Sequence, residues 1–219
     1  MFLHTHPYKP FLFPEATKLI VGTLPPPRFT TGDLKPDDVD FCYGSRNGLL
    51  WPILDRIFNL DLKYETTEYA VTQRRNFLLE RKIGVCDIVA SAERDKIDAS
   101  DLGMQHVKLR NLLHHLSRYP SIKTLLFMGG NSKNGPEYFF RRHIREYGIS
   151  LEVISSEIPR IHEFVHPTGK KKISTVSLIA PSGAANRAVG SLMAYKKMKL
   201  ENPTFNTLDY RVMQYREFF

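Results

Sequence analysis

Short apolar runs bounded by glycine, proline or polar residues recur along the chain and predict β-strands. KLIVGT (18–23) is rich in β-formers, and the LPPP that follows can continue neither a helix nor a central strand. Further strand candidates are IGVCDIV (83–89), IKTLLFMGG (122–130), SLEVISS (150–156) and STVSLIAP (174–181). Their apolar composition indicates strands that are buried in a sheet.

Segments with apolar residues at helical spacing lie between these runs. In NGLLWPILDRIF (47–58) the apolar positions recur every three or four residues, and Asn47 stands where a helix N-cap is expected. Other predicted helices are TQRRNFLLERK (72–82), HVKLRNLLHHLSRY (106–119), residues 136–146, a segment from about Ala184 to Leu200, and the tail NTLDYRVMQYREFF (206–219).

The alternation of strands and helices indicates βαβ units. It predicts an α/β fold of three layers, α/β/α, with a central, mostly parallel sheet and helices on both faces. No repeat, low-complexity segment or linker divides the chain, so we expect a single domain over residues 1–219. In such sheets, sites form in the loops beyond the carboxyl ends of the strands. The loops that qualify are LPPP (24–27), ASAERDKIDASD (90–101), GGNSKNG (129–135) and PSGAANR (181–187).

The charge of the chain indicates a class of partner. The 219 residues carry a formal net charge of +8, and the isoelectric point is near 9.4. A basic excess favours a polyanion, because each phosphate that is neutralised releases condensed counterions. Nucleic acid is therefore the first partner to expect, ahead of an acidic membrane.

The apolar segments and the cysteines limit the location and the cofactors. No apolar stretch reaches the roughly 18 residues of a membrane span, and the N-terminal segment lacks the basic-then-apolar order of a signal peptide. We therefore expect a cytoplasmic protein. Cys42 and Cys86 cannot form a disulfide framework or supply four thiolates to an iron–sulfur cluster.

HEFVH (162–166) fits the two-histidine, one-glutamate pattern of zinc metallopeptidases. That chemistry needs both histidines on one face of a helix, with the glutamate beside a metal-bound water. Pro167 directly follows His166 and disfavours helical angles there, and another proline lies just upstream of the motif. We interpret the segment as a loop between two strands, with His162 and His166 on the surface or facing the site. A zinc hydrolase that uses His162, Glu163 and His166 is the less favoured alternative.

Several loop-bearing segments resemble, in order, the motifs of one enzyme superfamily. They are LIVGTLPPP (19–27), FCYGSRNGLLWPIL (41–54), RKIGVCDIVASAERDKIDASD (81–101), TLLFMGGNS (124–132) and LIAPSGAANRA (178–188). Together they resemble the uracil-DNA glycosylase superfamily, and most of all its mismatch-specific and hypoxanthine-DNA glycosylase branches. The resemblance implies the fold of that superfamily and a hydrolase that acts in base excision repair of damaged DNA.

The chain departs from the superfamily at two chemical positions. Many members carry Asp or Asn two residues after the glycine of the first motif, where this chain has Leu24. Many also begin the second motif with a histidine, where this chain has Ala180. In the hypoxanthine-acting branch the first position is also apolar, and an asparagine of the Arg-Asn segment takes over. The resemblance therefore implies Asn47 as the catalytic residue, with helix capping as its alternative role.

The resemblance also implies which residues contact the extruded base. They are Gly22, Thr23, Leu24, Pro25, Tyr43, Asp87, Gly129, Gly130 and Asn131. Tyr43, or else Phe41, could stack on the base, since an aromatic face suits any planar heterocycle. Asp87 could orient the base or the Gly-Pro loop, or it could accept a hydrogen bond from a neighbouring backbone N–H.

The PSGAANR loop is implied to enter the minor groove beside the vacated nucleotide. Ser182 precedes a predicted helix start, so its hydroxyl and the nearby N–H groups could hold a phosphate; a plain N-cap is the alternative. Asn186 and Arg187 could fill the gap or contact the opposite base. The implied DNA-binding residues are Arg46, Ser182, Gly183, Ala184, Ala185, Asn186 and Arg187.

The resemblance and the residues that match it predict a monofunctional DNA glycosylase. It would hydrolyse the N-glycosidic bond of a flipped deaminated base, uracil or hypoxanthine, and leave an abasic site. Neither a metal nor another cofactor is needed, because an oriented water and donors to the departing base suffice. We expect a monomer that binds DNA and no membrane. The alternative within the same fold is a weakly catalytic module that binds damaged or single-stranded DNA.

Overall fold

The short apolar runs pair with one another across long stretches of sequence. In the computed structural model, which describes residues 1–98 and 100–219, the strands are β1 (Phe2–Thr5), β2 (Lys18–Val21), β3 (Ile83–Val85), β4 (Val89–Arg94), β5 (Gln105–Leu109), β6 (Thr124–Phe127), β7 (Glu152–Ser155), β8 (Arg160–Val165) and β9 (Lys172–Ser177). Ala99, in the segment predicted as the ASAERDKIDASD loop, lies outside the described residues.

The helices lie mostly where the spacing of apolar residues predicts them. They are α1 (Arg28–Thr31), α2 (Leu50–Phe58), α3 (Glu68–Glu80), α4 (Leu112–Arg118), α5 (Pro136–Arg145), α6 (Asn186–Ser191), α7 (Met193–Glu201) and α8 (Thr207–Arg216), with 3₁₀ turns at Asp101–Gly103 and Gly183–Ala185. None of the helices in the described part of the chain is long and apolar enough to cross a membrane.

The large sheet has six strands in the order β3-β2-β6-β9-β8-β7. β2 pairs in parallel with β3 and β6, and β6 pairs in parallel with β9. β8 runs antiparallel to both β9 and β7. The sheet is therefore mostly parallel, as the alternation of elements predicted.

Successive strand residues face opposite layers of the protein. Leu19 and Val21 of β2 belong to a core that α4 and α5 cover, whereas Ile20 belongs to the core that α2, α3 and α8 cover. In β6, Leu125 and Leu126 divide between the two cores in the same way. The predicted α/β fold with helices on both faces of the sheet is confirmed.

A second, antiparallel sheet has three strands in the order β1-β4-β5, and the sequence did not predict it. The predicted ASAERDKIDASD loop begins as β4, in which Ala92 and Arg94 are buried. The predicted helix 106–119 begins as β5 and becomes helical only at Leu112. β4 pairs with residues 2–5 on one side, a long-range contact that local periodicity cannot reveal, and with β5 on its other side.

Residues 162–165 of the HEFVH segment lie in strand β8 and His166 directly follows it, so the interpretation of the segment as a loop was wrong. β8 pairs residue by residue with β9, and neighbouring residues such as His162 and Glu163 face opposite sides. His162 and His166 are buried rather than at the surface or the site: His162 Nε2 lies 2.9 Å from Arg141 Nη2, and His166 Nε2 lies 3.0 Å from the Leu113 carbonyl oxygen. Across residues 1–98 and 100–219, no group of three or more metal-ligating side chains comes together. This geometry does not support the zinc alternative.

Two predicted helix boundaries also differ. α2 begins at Leu50 without a side-chain cap, so Asn47 is not its N-cap. Pro52 explains the shift, because a proline is tolerated in the first turn of a helix but removes a hydrogen bond from later turns. The predicted helix from Ala184 to Leu200 is divided into a 3₁₀ turn, α6 and α7, and Leu192, with extended backbone angles, separates the two α-helices.

Shortening Phe164 tests whether β8 lies in the core. The centroids of the Phe164 and Phe140 rings lie 5.3 Å apart, and Phe164 is 2% exposed. Phe164→Ala should therefore lower the free energy of unfolding by about 3–5 kcal/mol. Val165, the next residue, is 44% exposed, and Val165→Ala should cost less than about 1 kcal/mol. Urea denaturation measures both variants. Equal losses of free energy of unfolding in the two variants would contradict the alternation of buried and exposed residues along β8.

Candidate active site

A cavity of about 470 Å³ opens at the carboxyl edge of the parallel strands. Each of these strands ends at its wall: residues 22–26 follow β2, Asp87 follows β3, Met128 follows β6, and residues 180–184 follow β9. The segment between α1 and α2 closes another side with Cys42, Tyr43, Gly44, Ser45, Asn47 and Gly48. The cavity therefore lies where sites are expected in a wound sheet.

Many of the residues predicted for the site line this cavity. They are Gly22, Thr23, Leu24, Pro25, Tyr43, Asn47, Asp87, Ser182, Gly183 and Ala184. The predicted residues that the structure describes outside the lining are Arg46, Gly129, Gly130, Asn131, Ala185, Asn186 and Arg187. The glycine turn instead packs against other residues: a Cβ at Gly129 would lie 3.1 Å from Pro136 Cδ, and one at Gly130 would lie 3.1 Å from Arg160 Nη2.

The Asp87 carboxylate joins separate segments of the cavity wall. Its Oδ1 accepts hydrogen bonds from the backbone N–H of Gly22 at 2.7 Å and from the Tyr43 hydroxyl at 2.6 Å, and its Oδ2 lies 2.9 Å from His6 Nε2. His6 Nδ1 accepts from the Tyr8 backbone N–H at 3.2 Å, so the imidazole donates to Asp87 through Nε2. This geometry corresponds to the capping role that the sequence left open for Asp87.

Tyr43 packs against the backbone of Gly22. A Cβ at position 22 would collide with the Tyr43 hydroxyl and lie 2.9 Å from Asp87 Oδ1, so this close approach requires glycine. Tyr43 itself has a left-handed φ of 60°, which costs a residue with a side chain about 1–2 kcal/mol. Burial and the neighbouring Asp87 charge raise the pKa of Tyr43, so its hydroxyl remains a neutral donor.

Asp38 fixes the loop of residues 35–47. Arg28 donates to its carboxylate from Nε at 2.6 Å and from Nη2 at 2.7 Å, and the backbone N–H groups of Lys35 and Arg46 donate at 2.9 and 2.8 Å. Burial alone would raise the pKa of Asp38, but these donors outweigh it and lower the pKa to about 2. Arg46 is thus held through its backbone, and its side chain is exposed.

Asn47 belongs to a segment that is joined to the loop after β9. The Leu49 N–H donates to the Pro181 carbonyl at 2.9 Å, and Gly48 forms an isolated β-bridge with Ser182. Asn47, just before this junction, is exposed and lines the cavity. Its amide is therefore available to a ligand.

Arg211 of α8 supports the loop after β9 and was not predicted as part of the site. The buried guanidinium donates to the carbonyl oxygens of Ala180 at 3.1 Å and Ser182 at 3.0 Å, and to Asn186 Oδ1 at 2.9 Å. Asn186, which we expected to face DNA, thus has its side-chain oxygen bound within the protein. Ser182 makes no side-chain cap on the 3₁₀ turn that it precedes, so the plain N-cap role is not observed.

Asp101 is a cavity residue that the sequence analysis did not single out. It begins the first 3₁₀ turn, and its Oδ1 accepts from the Thr23 hydroxyl at 2.8 Å. Burial raises the pKa of Asp101 to about 6, against the opposing effects of the Thr23 hydrogen bond and of Arg94. The sequence indicated it as the last residue of a charged loop, but periodicity does not predict that it is half-buried in the cavity wall.

Comparison with known proteins supports the fold. Neither a protein-family model nor a curated protein matches the chain. Among solved structures, it is similar to the solution NMR structure of a protein from Methanosarcina acetivorans whose assignment as a uracil DNA glycosylase is provisional. The two share 14% identity over 96% of this chain and 99% of that chain, with a TM-score of 0.54. At this identity the similarity shows the fold alone, which is uracil-DNA glycosylase-like.

Asp38→Asn tests how the loop of residues 35–47 is fixed. The variant leaves the Arg28 charge without its partner, so the free energy of unfolding near pH 7 should fall by about 3 kcal/mol. The folded-state pKa lies below the ordinary 3.8, so the carboxylate stabilises the fold above that value and loses this effect as the pH falls toward about 2. Urea denaturation at several pH values should therefore show that the difference in free energy of unfolding between the variant and the unsubstituted protein becomes smaller from pH 7 to pH 2.

Asp37→Asn is the matched control, because Asp37 is exposed in the same loop. It should change the free energy of unfolding by about 0.5 kcal/mol or less at either pH. A difference between Asp38→Asn and the unsubstituted protein that stays constant with pH would contradict the ion-pair explanation.

Proposed function

We propose that this protein is a monofunctional DNA glycosylase that hydrolyses the N-glycosidic bond of a flipped deaminated base and leaves an abasic site. The observation that carries the proposal is the convergence of residues 22–26, 42–45 with 47–48, and 180–184 on one cavity in a uracil-DNA glycosylase-like fold. A base inside the duplex stack cannot be reached, so such an enzyme needs a pocket for one everted nucleotide. A volume of about 470 Å³ is in the range of small-molecule sites.

In the proposed reaction the sugar develops oxocarbenium character and the departing base develops negative charge. When bond breaking runs ahead of attack, the water needs orientation more than a strong base, and the exposed amide oxygen of Asn47 can accept a hydrogen bond from it. Donors around the base would stabilise its charge, as at an oxyanion site. The aromatic ring of Tyr43, held by its bond to Asp87, would form a wall against the base.

The substrate we propose is uracil or hypoxanthine. Leu24 lines the cavity where many superfamily members carry an acid or amide, and Asn47 lines it as well. This combination matches the hypoxanthine-acting branch, which therefore is the favoured assignment.

DNA is the proposed partner of the rim formed by residues 182–187. Gly183 and Ala184 are small and exposed, which suits entry into a groove, and Arg187 is exposed beside them. The net charge of +8 favours approach to a polyanion. We propose that one copy of the chain acts alone and that hydrolysis needs no cofactor.

A second candidate is a DNA-binding module of the same fold with weak catalysis. The observation that favours it is the apolar character of Leu24 and Ala180, both of which line the cavity at positions where relatives carry catalytic groups. This module would keep the pocket and the rim but would release little or no base.

Excision from defined oligonucleotides tests the proposed function. The purified protein should release the base from duplexes containing uracil or hypoxanthine, detected as strand cleavage at the abasic site by hot alkali. Asn47→Ala should lower the single-turnover rate roughly 100-fold, because one oriented polar contact to the reacting atoms is lost. Binding of the same duplexes, measured by fluorescence anisotropy, should change little.

Asn76→Ala is the control, since Asn76 is exposed on α3 and does not line the cavity. It should leave excision and binding unchanged. Tight binding without any base release would favour the module over the enzyme. An equal loss of binding and excision in Asn47→Ala would assign that residue a structural role.

Arg187→Ala tests the proposed contact of the rim with DNA. If its guanidinium neutralises a phosphate, the variant should bind more weakly to all sequences, and the slope of log affinity against log salt should flatten by roughly one unit. Arg145→Ala is the matched control, because Arg145 is exposed at the end of α5, which returns to the opposite edge of the sheet. An unchanged slope in Arg187→Ala would argue against a phosphate contact.

A further inference from the structure

The acidic residues that line the cavity differ in their surroundings. In the described part of the chain they are Asp87 and Asp101. Both oxygens of Asp87 are engaged by the protein, through Gly22, Tyr43 and His6. A carboxylate bound in this way holds a wall together and is poorly suited to take a proton from a ligand.

Asp101 is held firmly and borders the space where a ligand would lie. Its carbonyl oxygen accepts a hydrogen bond from Asn134 Nδ2 at 2.9 Å and another from the Met104 N–H at 3.1 Å, which fixes the backbone. Its Oδ1 accepts from Thr23, the residue that follows Gly22 in the loop after β2. The carboxyl group is thus hydrogen-bonded to the loop in which Leu24 stands where many superfamily members carry Asp or Asn.

We infer that Asp101 is the general base of the cavity, supplied by the loop after β4 instead of the loop after β2. In its ionised form it accepts the proton of the water that attacks the sugar. The inference rests on the proposed glycosylase function and adds a second catalytic residue to it. Asn47 would orient the water, and Asp101 would take up the proton.

The reaction balances without a further reagent. The bond between C1′ and the base nitrogen breaks, and its electron pair leaves with the base. The water oxygen forms a bond to C1′, its proton passes to Asp101, and the departing base takes up a proton from solvent. The products are an abasic site and a free base, and no group is oxidised or reduced. General-base assistance of this kind contributes roughly 100- to 10,000-fold in rate.

The electrostatic surroundings suit a base that works near neutral pH. A pKa of about 6 leaves Asp101 mostly ionised at pH 7 but basic enough to accept a proton. The charged and titratable groups around it are Arg94 on β4, Asp98 paired with Arg94, Asp87 with its partner His6, and Arg28 in the cavity wall. The pKa values of Tyr8, Cys42 and Tyr43 in the same wall are raised, so these groups stay neutral.

The test measures single-turnover excision of hypoxanthine and uracil between pH 4.5 and pH 8. The unsubstituted protein should lose rate roughly tenfold for each pH unit below about 6 and reach a plateau above it. Asp101→Asn should lower the plateau at least 100-fold and lose this pH dependence, with duplex binding retained. Thr23→Val should move the fall in rate to higher pH, because it removes a hydrogen bond that favours the charged carboxylate.

Asp95→Asn is the matched control, because Asp95 lies in the same loop after β4 and its exposed carboxylate accepts a hydrogen bond from Gln105. It should keep both the rate and the pH profile. An active protein whose Asp101→Asn variant keeps the rate and the profile would overturn this inference and leave the glycosylase function standing. A protein that releases neither base would overturn both. If Asp101→Asn fails to fold, as judged by circular dichroism, an unshifted profile in Thr23→Val overturns the inference.

Discussion

The cavity depends on one buried charge and its donors. An ionised carboxylate can stay inside a protein only while hydrogen bonds replace its lost hydration. For Asp87 these bonds come from His6 in the N-terminal segment, Gly22 after β2 and Tyr43 between α1 and α2. The three segments are distant in sequence, so satisfying the charge fixes their relative positions. The absence of a side chain at Gly22 and the left-handed backbone of Tyr43 are local costs of this arrangement.

Hydrogen bonds to buried charges also fix the loops around the rim of the cavity. Loop backbone groups have no ladder partners, so other polar groups must satisfy them. Asp38 accepts from the N–H groups of Lys35 and Arg46, and Arg211 donates to the carbonyl oxygens of Ala180 and Ser182. The Asp38 carboxylate and the Arg211 guanidinium therefore hold the backbone of these loops in place. A site of this kind can orient a water molecule without first having to reorganise, which the proposed hydrolysis requires.

The sequence predicted the parts of the structure that depend on local patterns. The buried strands, most helices and the loops at the carboxyl edge follow from periodicity and from the rule for wound sheets. Strand pairings were missed: β4 is a strand through its pairing with the distant residues 2–5, and residues 162–165 of HEFVH are in a strand through their pairing with the next strand, β9. The burial of Arg211 and the partial burial of Asp101 were also missed, because an isolated charged residue is expected to be exposed unless its tertiary partners are known. The start of α2 was predictable, because Pro52 fits only the first turn.

The backbone pairing between the segment of Asn47 and the loop after β9 has a mechanical consequence. The bonds from Leu49 to Pro181 and between Gly48 and Ser182 join the two segments on either side of the cavity mouth. Moving the two segments apart would break these bonds. For the proposed substrate, the work of deformation then falls on the nucleic acid, whose strand must kink to deliver a nucleotide. The protein would then select its substrate first by how easily the base pair opens, before it contacts the base itself.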